Sequence, residues 1–506
     1  MQAATNSLLQ DSSNALDDGS TTRISDAFVL LLAFPIASAV APFQLFSFDT
    51  ALIALCDVGI IMFSMMVIAR ALNGIRAMRI RMDVPMVALI LFLFVSFCSV
   101  VPPLVSGNPE YMLQYVKSTA HFLYMWLFAV CCAATVVRCD VVIKLFQAFV
   151  VCAIPVNVFG IYQVPARFFD WPFAWIEYTG AAVKQSYQLS LQFEGFFRAT
   201  SIFSEPSALA MYTMTTAIML LVPHLFYNVR LVKNRFLFYA SLYTCFIAMF
   251  LTFSLTIVLQ FGAFLIAVAL LSRASTIKKL LTMFAAMATL FVVTNLAIST
   301  YAGSDLFSLY FQRIASNVVG EDKVEGTMGD SFGVRADAQK TAVSIWRQNP
   351  VFGAGFGCLG YVRDNDGLFG VNALQMYFFS LATTGTLGGL LIVIYSFGFS
   401  YAIMRLLIQR QRERSQSSPP TAEDMALAIA AFLCCNEAVH GLSSDDLILQ
   451  YHWVVMGVVS LVYYHPSINS LVQLPVITFA AYPRTRVSWK VSRMFFMGKE
   501  KRFDTH

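Results

Sequence analysis

The chain has 506 residues, of which 58% are hydrophobic and only 12% charged, and its net charge is +5. Soluble domains carry about 25% charged residues, so the deficit excludes an ordinary soluble enzyme and points to a polytopic membrane protein. So small a net charge gives no reason to expect a nucleic-acid partner, and what matters is where the positive charges lie.

Residues 1–26 are polar, with Asp11, Asp17, Asp18 and Asp26 against a single Arg23, and no signal peptide is evident. The apolar run 27–45 is long enough to span and lacks a small-residue cleavage site, so it is read as the first transmembrane helix. A span needs about 20 mostly apolar residues. On that criterion further spans are expected near 51–69, 84–105, 118–137, 141–164, 205–223, 236–253, 255–271, 279–300, 374–403, 424–442 and 448–464. The expected fold is an all-α polytopic membrane protein with about 12 transmembrane helices. Its organisation is a cytoplasmic N-terminus (1–26), spans one to nine (27–300), a large loop with short helices (301–373), spans ten to twelve (374–464) and a basic tail (465–506).

Placing the N-terminus in the cytoplasm puts most of the lysines and arginines on that side, as insertion favours. Each cytoplasmic connection is then basic, as in Arg70, Arg76, Arg79 and Arg81, or Arg405, Arg410, Arg412 and Arg414. The tail mixes aromatic and basic residues and suits an anionic lipid surface. Two long segments fall on the far side. One, 165–204, is aromatic-rich; the other, 301–374, is polar and holds a helical stretch near Val334 to Arg347. Both carry positive charges that the insertion rule disfavours there, among them Arg167, Arg198, Arg335 and Arg363. Long loops usually carry function.

Three stretches combine these charges with helix-end signals. In GFFRATSIFSEPSALAMY, Ser204 suits a helix N-cap, and Glu205 and Pro206 suit the first turn. Arg198 either pairs with Glu205 or faces an anion. In SFGVRADAQKTAVSIWRQNPVFGAGFGCLG, Arg335 opens an amphipathic helix with Gln339, Ala342 and Trp346 at helical spacing, and Asn349-Pro350 ends it. Gly353, Gly355 and Gly357 follow, either as a plain turn or as a backbone cradle for phosphate. A P-loop is excluded because no Lys-Ser/Thr follows. In NALQMYFFSLATTGTLGGLL, Asn372, Gln375 and Tyr377 lead into a helix whose Gly385, Gly388 and Gly389 allow close packing. Asp57, His121, Glu437 and His440 fall inside expected spans, and Glu437 and His440, one turn apart, could share a hydrogen bond. The ten cysteines show no CxxC or Cys/His ligand spacing, so no zinc site or disulfide framework is expected.

Taken in order, these stretches resemble the O-antigen polymerase and ligase superfamily of membrane enzymes. The likeness lies in Arg198 ahead of Glu205-Pro206-Ser207, in Arg335 ahead of Asn349-Pro350-Val351-Phe352-Gly353-Ala354-Gly355, and in Asn372 ahead of Gly385 to Gly388. Thr252 and Ser254 stand where relatives carry a Thr/Ser-containing helix end, and the match covers roughly residues 190–395. Ligases of this superfamily usually carry histidine just before the asparagine. Val371 stands there instead, which favours a Wzy-like polymerase over a ligase.

The resemblance implies a bacterial inner-membrane glycosyltransferase with its site in a large periplasmic loop. The donor is a glycan on undecaprenyl pyrophosphate, and the acceptor is a sugar hydroxyl of another lipid-linked repeat of O-antigen, capsule or exopolysaccharide. Arg335 and Arg198 would hold the pyrophosphate with their planar guanidinium forks. Arg363, Asn372, Gly353, Gly355 and Gln375 would line the substrate. The base is left open among Glu205, Asp330 and Asp364. No nucleotide cofactor is expected, because the pyrophosphate linkage stores the energy, and no metal, because no carboxylate cluster suggests a divalent ion. A flippase and a chain-length regulator are the implied partners. A ligase, or a carrier or flippase of lipid-linked sugar, is the alternative.

Overall fold

The structure is a computed structural model that describes residues 44–48, 51–73, 78–176, 192–193, 196–203, 205–271, 274–303, 305–319, 331–359, 375–414, 419–444, 447, 449–468 and 476–479. It is mostly helical. Six of its described helical segments are long and apolar enough to cross a membrane: 84–106, 109–134, 139–168, 206–227, 276–300 and 376–413. Three two-stranded antiparallel ribbons accompany them.

β1 (Gln44–Phe48) pairs with β2 (Ala51–Ala54), which runs into α1 (Leu55–Leu72). The second expected span therefore begins as extended chain and turns helical at Leu55. Apart from Gln44 and Leu45, the first expected span lies outside the described residues. β3 (Met78–Arg81) pairs with β6 (Val476–Phe479), tying the start of the tail to the connection before α2 (Val84–Cys98). A short α3 (Val101–Ser106) ends at Gly107, and α4 (Pro109–Ala134) starts nine residues before its expected position. The reason is local: Asn108 Oδ1 accepts from the Glu110 amide at 2.9 Å, and Pro109 needs no donor in the first turn.

α5 (Cys139–Phe168) continues past the expected end of its span. α6 (Pro206–Tyr227) begins at Pro206 and stops at Asn228, which sits in the left-handed region at φ 58°. α7 (Arg235–Leu251) and α8 (Leu255–Leu271) are separated by Thr252, Phe253 and Ser254, with Phe253 at φ 49°. α9 (Ala274–Ala302) follows, then α10 (Leu306–Val319) and α11 (Ser331–Gln348), the latter enclosing the stretch expected near 334–347. α12 (Met376–Glu413) is broken at Gly385 (φ 75°, ψ −173°). α13 (Ala422–His440) opens with a Thr421/Asp424 capping box, and α14 is Gln450–Tyr463.

The core is organised around α13, which packs against α5, α6, α8, α12 and α14. α6 is enclosed as well, with 89% of its apolar stretch buried against 6% for α9. That contrast places α6 inside the bundle and leaves the apolar sides of α9 for lipid. α4 packs on α14 and α1, and α2 lies along α12.

Candidate functional site

The Arg198 segment is built into the end of α7. After the β4 (Gln192–Phe193) and β5 (Phe196–Phe197) ribbon, the chain enters the bundle so that Arg198, Ala199, Thr200 and Ser201 are all buried. Arg198 Nε donates to the Thr252 carbonyl at 2.8 Å and Nη2 to the Phe253 carbonyl at 3.5 Å. The Ala199 amide donates to the Leu251 carbonyl at 2.8 Å. The last carbonyls of a helix lack intrahelical donors and carry partial negative charge, which a guanidinium satisfies and complements.

Arg167, near the end of α5, steadies this segment from below. It donates to the carbonyls of Ala174 and Arg198 and to Thr200 Oγ1 at 2.8 Å, and it lies 5.2 Å from the Trp175 ring centre. Gln163 Nε2 adds a bond to the Ser201 carbonyl at 3.1 Å.

Glu205 differs from its expected place by one position. It is itself the N-cap of α6, and it accepts from Ser207 Oγ at 3.0 Å. An Arg198–Glu205 pair is not among the ion pairs of the described residues, because the carbonyls ending α7 take the guanidinium instead.

α10 covers the same break from the other side. Asp305 caps it through the Ser308 amide at 3.1 Å and accepts from Asn295 Nδ2 at 2.7 Å. The Asn295 amide group, with the two backbone donors, holds the Asp305 carboxyl below the usual range. Tyr310 donates to the Phe250 carbonyl at 2.6 Å, and its ring stacks on Phe253 with centroids 4.2 Å apart.

The glycine turn enters the other break. The Ala354 amide donates to the Ala382 carbonyl at 2.8 Å, and the Thr386 amide to the Pro350 carbonyl at 2.8 Å. Residues 350–354 thus satisfy groups that the interruption of α12 sets free. Trp346 on α11 fastens the arrangement by donating from Nε1 to Thr386 Oγ1 at 2.9 Å. Gly353 (φ 65°) lies against the Thr383–Thr384 peptide, and Gly385 against the Val351 carbonyl, so a β-carbon at either position would overlap main chain. Gly355 (φ 88°) packs on Pro103, and the next amide, that of Phe356, donates to Ser99 Oγ at 3.0 Å. The amides of Gly353, Ala354 and Phe356 are engaged within the protein, the first with the Asn349 carbonyl. This is the plain-turn alternative, with the glycines present for close backbone approach.

α11 lays Ala338, Ala342 and Ile345 into the protein at helical spacing. Arg335 is the fifth residue of the same helix. Gln375 is the N-cap of α12, half-buried, with the Phe379 amide on its carbonyl at 2.9 Å. Tyr377 lies inside α12 and donates to the Ala438 carbonyl at 2.7 Å. Arg363, Asn372, Asp330 and Asp364 lie outside the described residues. α11 packs on α12, at the break filled by the glycine turn, and Arg198 is bound at the α7–α8 break.

The expected Glu437–His440 hydrogen bond is replaced by another. Glu437 Oε2 meets Nδ1 of His452, on α14, at 2.8 Å, with both side chains buried. α14 starts where α13 ends and packs beside it, bringing the imidazole of the second helix to the carboxylate of the first. His452 was not singled out in the sequence, although an imidazole opening one apolar helix after a carboxylate closing the previous one was the available signal. Two further polar contacts involve the expected intramembrane groups: Tyr124 donates to Asp57 Oδ1 at 2.6 Å, and Gln450 Nε2 lies 3.4 Å from His121 Nε2.

All ten cysteines are free. Among the described residues no three His, Cys, Asp or Glu side chains gather as a metal site would require. No protein-family model matches the chain, and no curated protein matches it.

Proposed function

We propose that the chain is a Wzy-like polysaccharide polymerase of the bacterial inner membrane, acting at the periplasmic face on undecaprenyl-pyrophosphate-linked repeats. The observation that carries this reading is how the two segments assigned to the far side are built into the helix layer. Residues 198–203 and α10 close on the α7–α8 break, and residues 350–354 fill the break in α12. Interrupted helices at membrane depth are tolerated where protein or a lined cavity satisfies their backbone. A plain connecting loop has no need to supply those bonds; a loop that forms one wall of a site does.

In this reading the acceptor hydroxyl attacks the anomeric carbon of the donor glycan. A new glycosidic C–O bond forms, the anomeric carbon–phosphate oxygen bond breaks, and its electron pair leaves on undecaprenyl pyrophosphate. Arg335, on the helix that leads into the glycine turn, grips the leaving diphosphate. Arg198 holds the second position, at the α7 terminus. Guanidinium suits a multiply charged leaving group because it stays charged and binds phosphate oxygens in pairs.

Discontinuous helices also favour a carrier, since transporters place substrates at half-helix ends. Here, however, the described breaks are filled by protein groups. The lipid-linked glycans of a strain lacking the gene separate the two. Single repeats exposed on the outer leaflet with no polymer support the polymerase, and repeats confined to the inner leaflet support transport.

A further inference from the structure

Resting on that reading, we infer that His452, oriented by Glu437, is the base that takes the acceptor hydroxyl's proton. The sequence left this role open among carboxylates of the far-side segments.

Position comes first. His452 is the third residue of α14, and Glu437 is the fourth from the end of α13. At about 1.5 Å per residue, both lie within one turn of the helix ends that the expected topology assigns to the far side, the side of the proposed site. Glu205, the cap of α6, marks the same end of the bundle, and Tyr212, seven residues on along one helix stripe, has its ring 6.4 Å from that of Tyr451, the neighbour of His452.

Orientation comes second. A carboxylate only accepts, so Glu437 Oε2 fixes the proton of the neutral imidazole on Nδ1 and leaves the lone pair on Nε2. Nε2 is buried and has no hydrogen-bond partner among the described residues. This is the arrangement in which a carboxylate sets the tautomer of a base and stabilises the imidazolium that forms.

Surroundings come third. Glu437 Oε1 and Tyr212 Oη are likewise buried without partners among the described residues, and Tyr451, close to both, has Thr215 within reach of its hydroxyl. An unpaired polar group in an apolar interior costs roughly 1–3 kcal/mol, so the open atoms of His452, Glu437 and Tyr212 call for a polar partner. They are well suited to sugar hydroxyls, which donate and accept alternately.

In the transfer step His452 Nε2 receives the hydroxyl proton as the acceptor oxygen bonds to the anomeric carbon. The imidazolium is then relieved when that proton passes to the departing pyrophosphate. Contact can be direct or through one water.

The titratable groups around the dyad come from several elements. Tyr395 on α12, Tyr451 on α14 and Cys434 on α13 lie close to Glu437. Tyr212 on α6 lies beyond Tyr451, with Cys152 on α5 and Cys245 on α7 beside it. Tyrosines and thiols are ordinarily neutral near pH 7. His121 on α4 reaches the start of α14 through Gln450, and His440 is one turn from Glu437.

The test uses the full chain in liposomes with the lipid-linked repeat extracted from a strain lacking the gene, and follows the initial rate of chain growth from pH 5 to 9. Glu437→Gln keeps an acceptor for Nδ1–H but removes the charge that favours the imidazolium. Its rate is expected to fall, and its rising acid limb to move to lower pH. His452→Gln is expected to slow chain growth by roughly 10²–10⁴-fold and to flatten that limb.

If His452→Gln fails to fold, the limb of Glu437→Gln decides alone. A limb unmoved in Glu437→Gln, or a wild-type rate in folded His452→Gln, overturns the inference. If Arg335→Ala abolishes growth while both dyad variants behave as wild type, this inference fails and the polymerase reading stands. If the wild-type chain forms no polymer, both fail.

Discussion

The guanidinium of Arg198 lies 2.8 Å from the carbonyl oxygen of Thr252, so the charge at the far end of the bundle is also the cap of α7. Arg198→Ala leaves buried carbonyls without donors, at about 1–3 kcal/mol for each group stranded. The expected result is a clear fall in the thermal midpoint of the purified protein. Arg198→Lys is expected to recover little of it, since an ammonium cannot reproduce the fork. An unchanged midpoint in Arg198→Ala would assign the residue to ligand binding alone.

Gly353 and Gly385 let two stretches of main chain touch. Alanine at either position meets backbone and sits at positive φ. We expect roughly 2–4 kcal/mol of destabilisation from overpacking and the left-handed conformation together. Gly262, with open space around its Cα, is the control. Gly262→Ala should be neutral or slightly stabilising, because alanine favours helix by about 1 kcal/mol. Unfolding curves in detergent compare the three, and equal midpoints would refute the stitching of α12 by the glycine turn.

Asp305 supplies a pH test of how α10 is fastened. Its folded-state pKa is depressed by the Asn295 amide and two backbone donors. A depressed carboxylate contributes stability that is present above its unfolded pKa and lost as pH falls through the folded one. Hydrogen exchange of residues 306–312 should therefore quicken, after correction for intrinsic rates, as pH falls below about 4. Asp305→Asn should show no such change; equal protection of the wild-type segment at pH 5.5 and pH 3 would contradict the assignment.

Much of this architecture is readable from patterns that are local. Glu205-Pro206 announces the start of α6 and Asn349-Pro350 the end of α11. The caps at Asn108 and Thr421, by contrast, precede the apolar runs that set the expected spans, and α11 buries Ala338, Ala342 and Ile345 where Gln339, Ala342 and Trp346 are the expected stripe. What sequence could not supply is which helix end meets which. Arg198 and Glu205 are close in the chain and suggest a pair, but the unfilled carbonyls of α7, fifty residues away, are stronger claimants. Glu437 and His440 share a helix face, but the decisive imidazole comes from the next helix. Gly353 reads as a turn more readily than as a cradle, and the sequence does not show that Thr383 lies against it. Each difference comes from a tertiary contact that settles a choice the local pattern leaves open.

Arg335→Lys probes the chemistry of the proposed grip apart from its charge. An ammonium preserves the positive charge and loses bidentate contact with phosphate oxygens. Polymer made in cells should drop at least about tenfold, as expected for a lost charge-assisted bond of 1.5 kcal/mol or more. Protein level in the membrane should be unaltered. Polymer of normal amount and length from Arg335→Lys would argue against a forked contact.

The central claim is that this chain transfers glycan from a lipid pyrophosphate. The most direct measurement is reconstitution of the purified protein in liposomes with the lipid-linked repeat from a strain lacking the gene. Gel electrophoresis then reports glycan length, and mass spectrometry reports the released lipid pyrophosphate. A ladder of lengthening glycans with matching release from wild type, and neither from Arg335→Ala, is the expected result. An unlengthened repeat with the wild-type chain, or the same ladder from Arg335→Ala, would contradict the account.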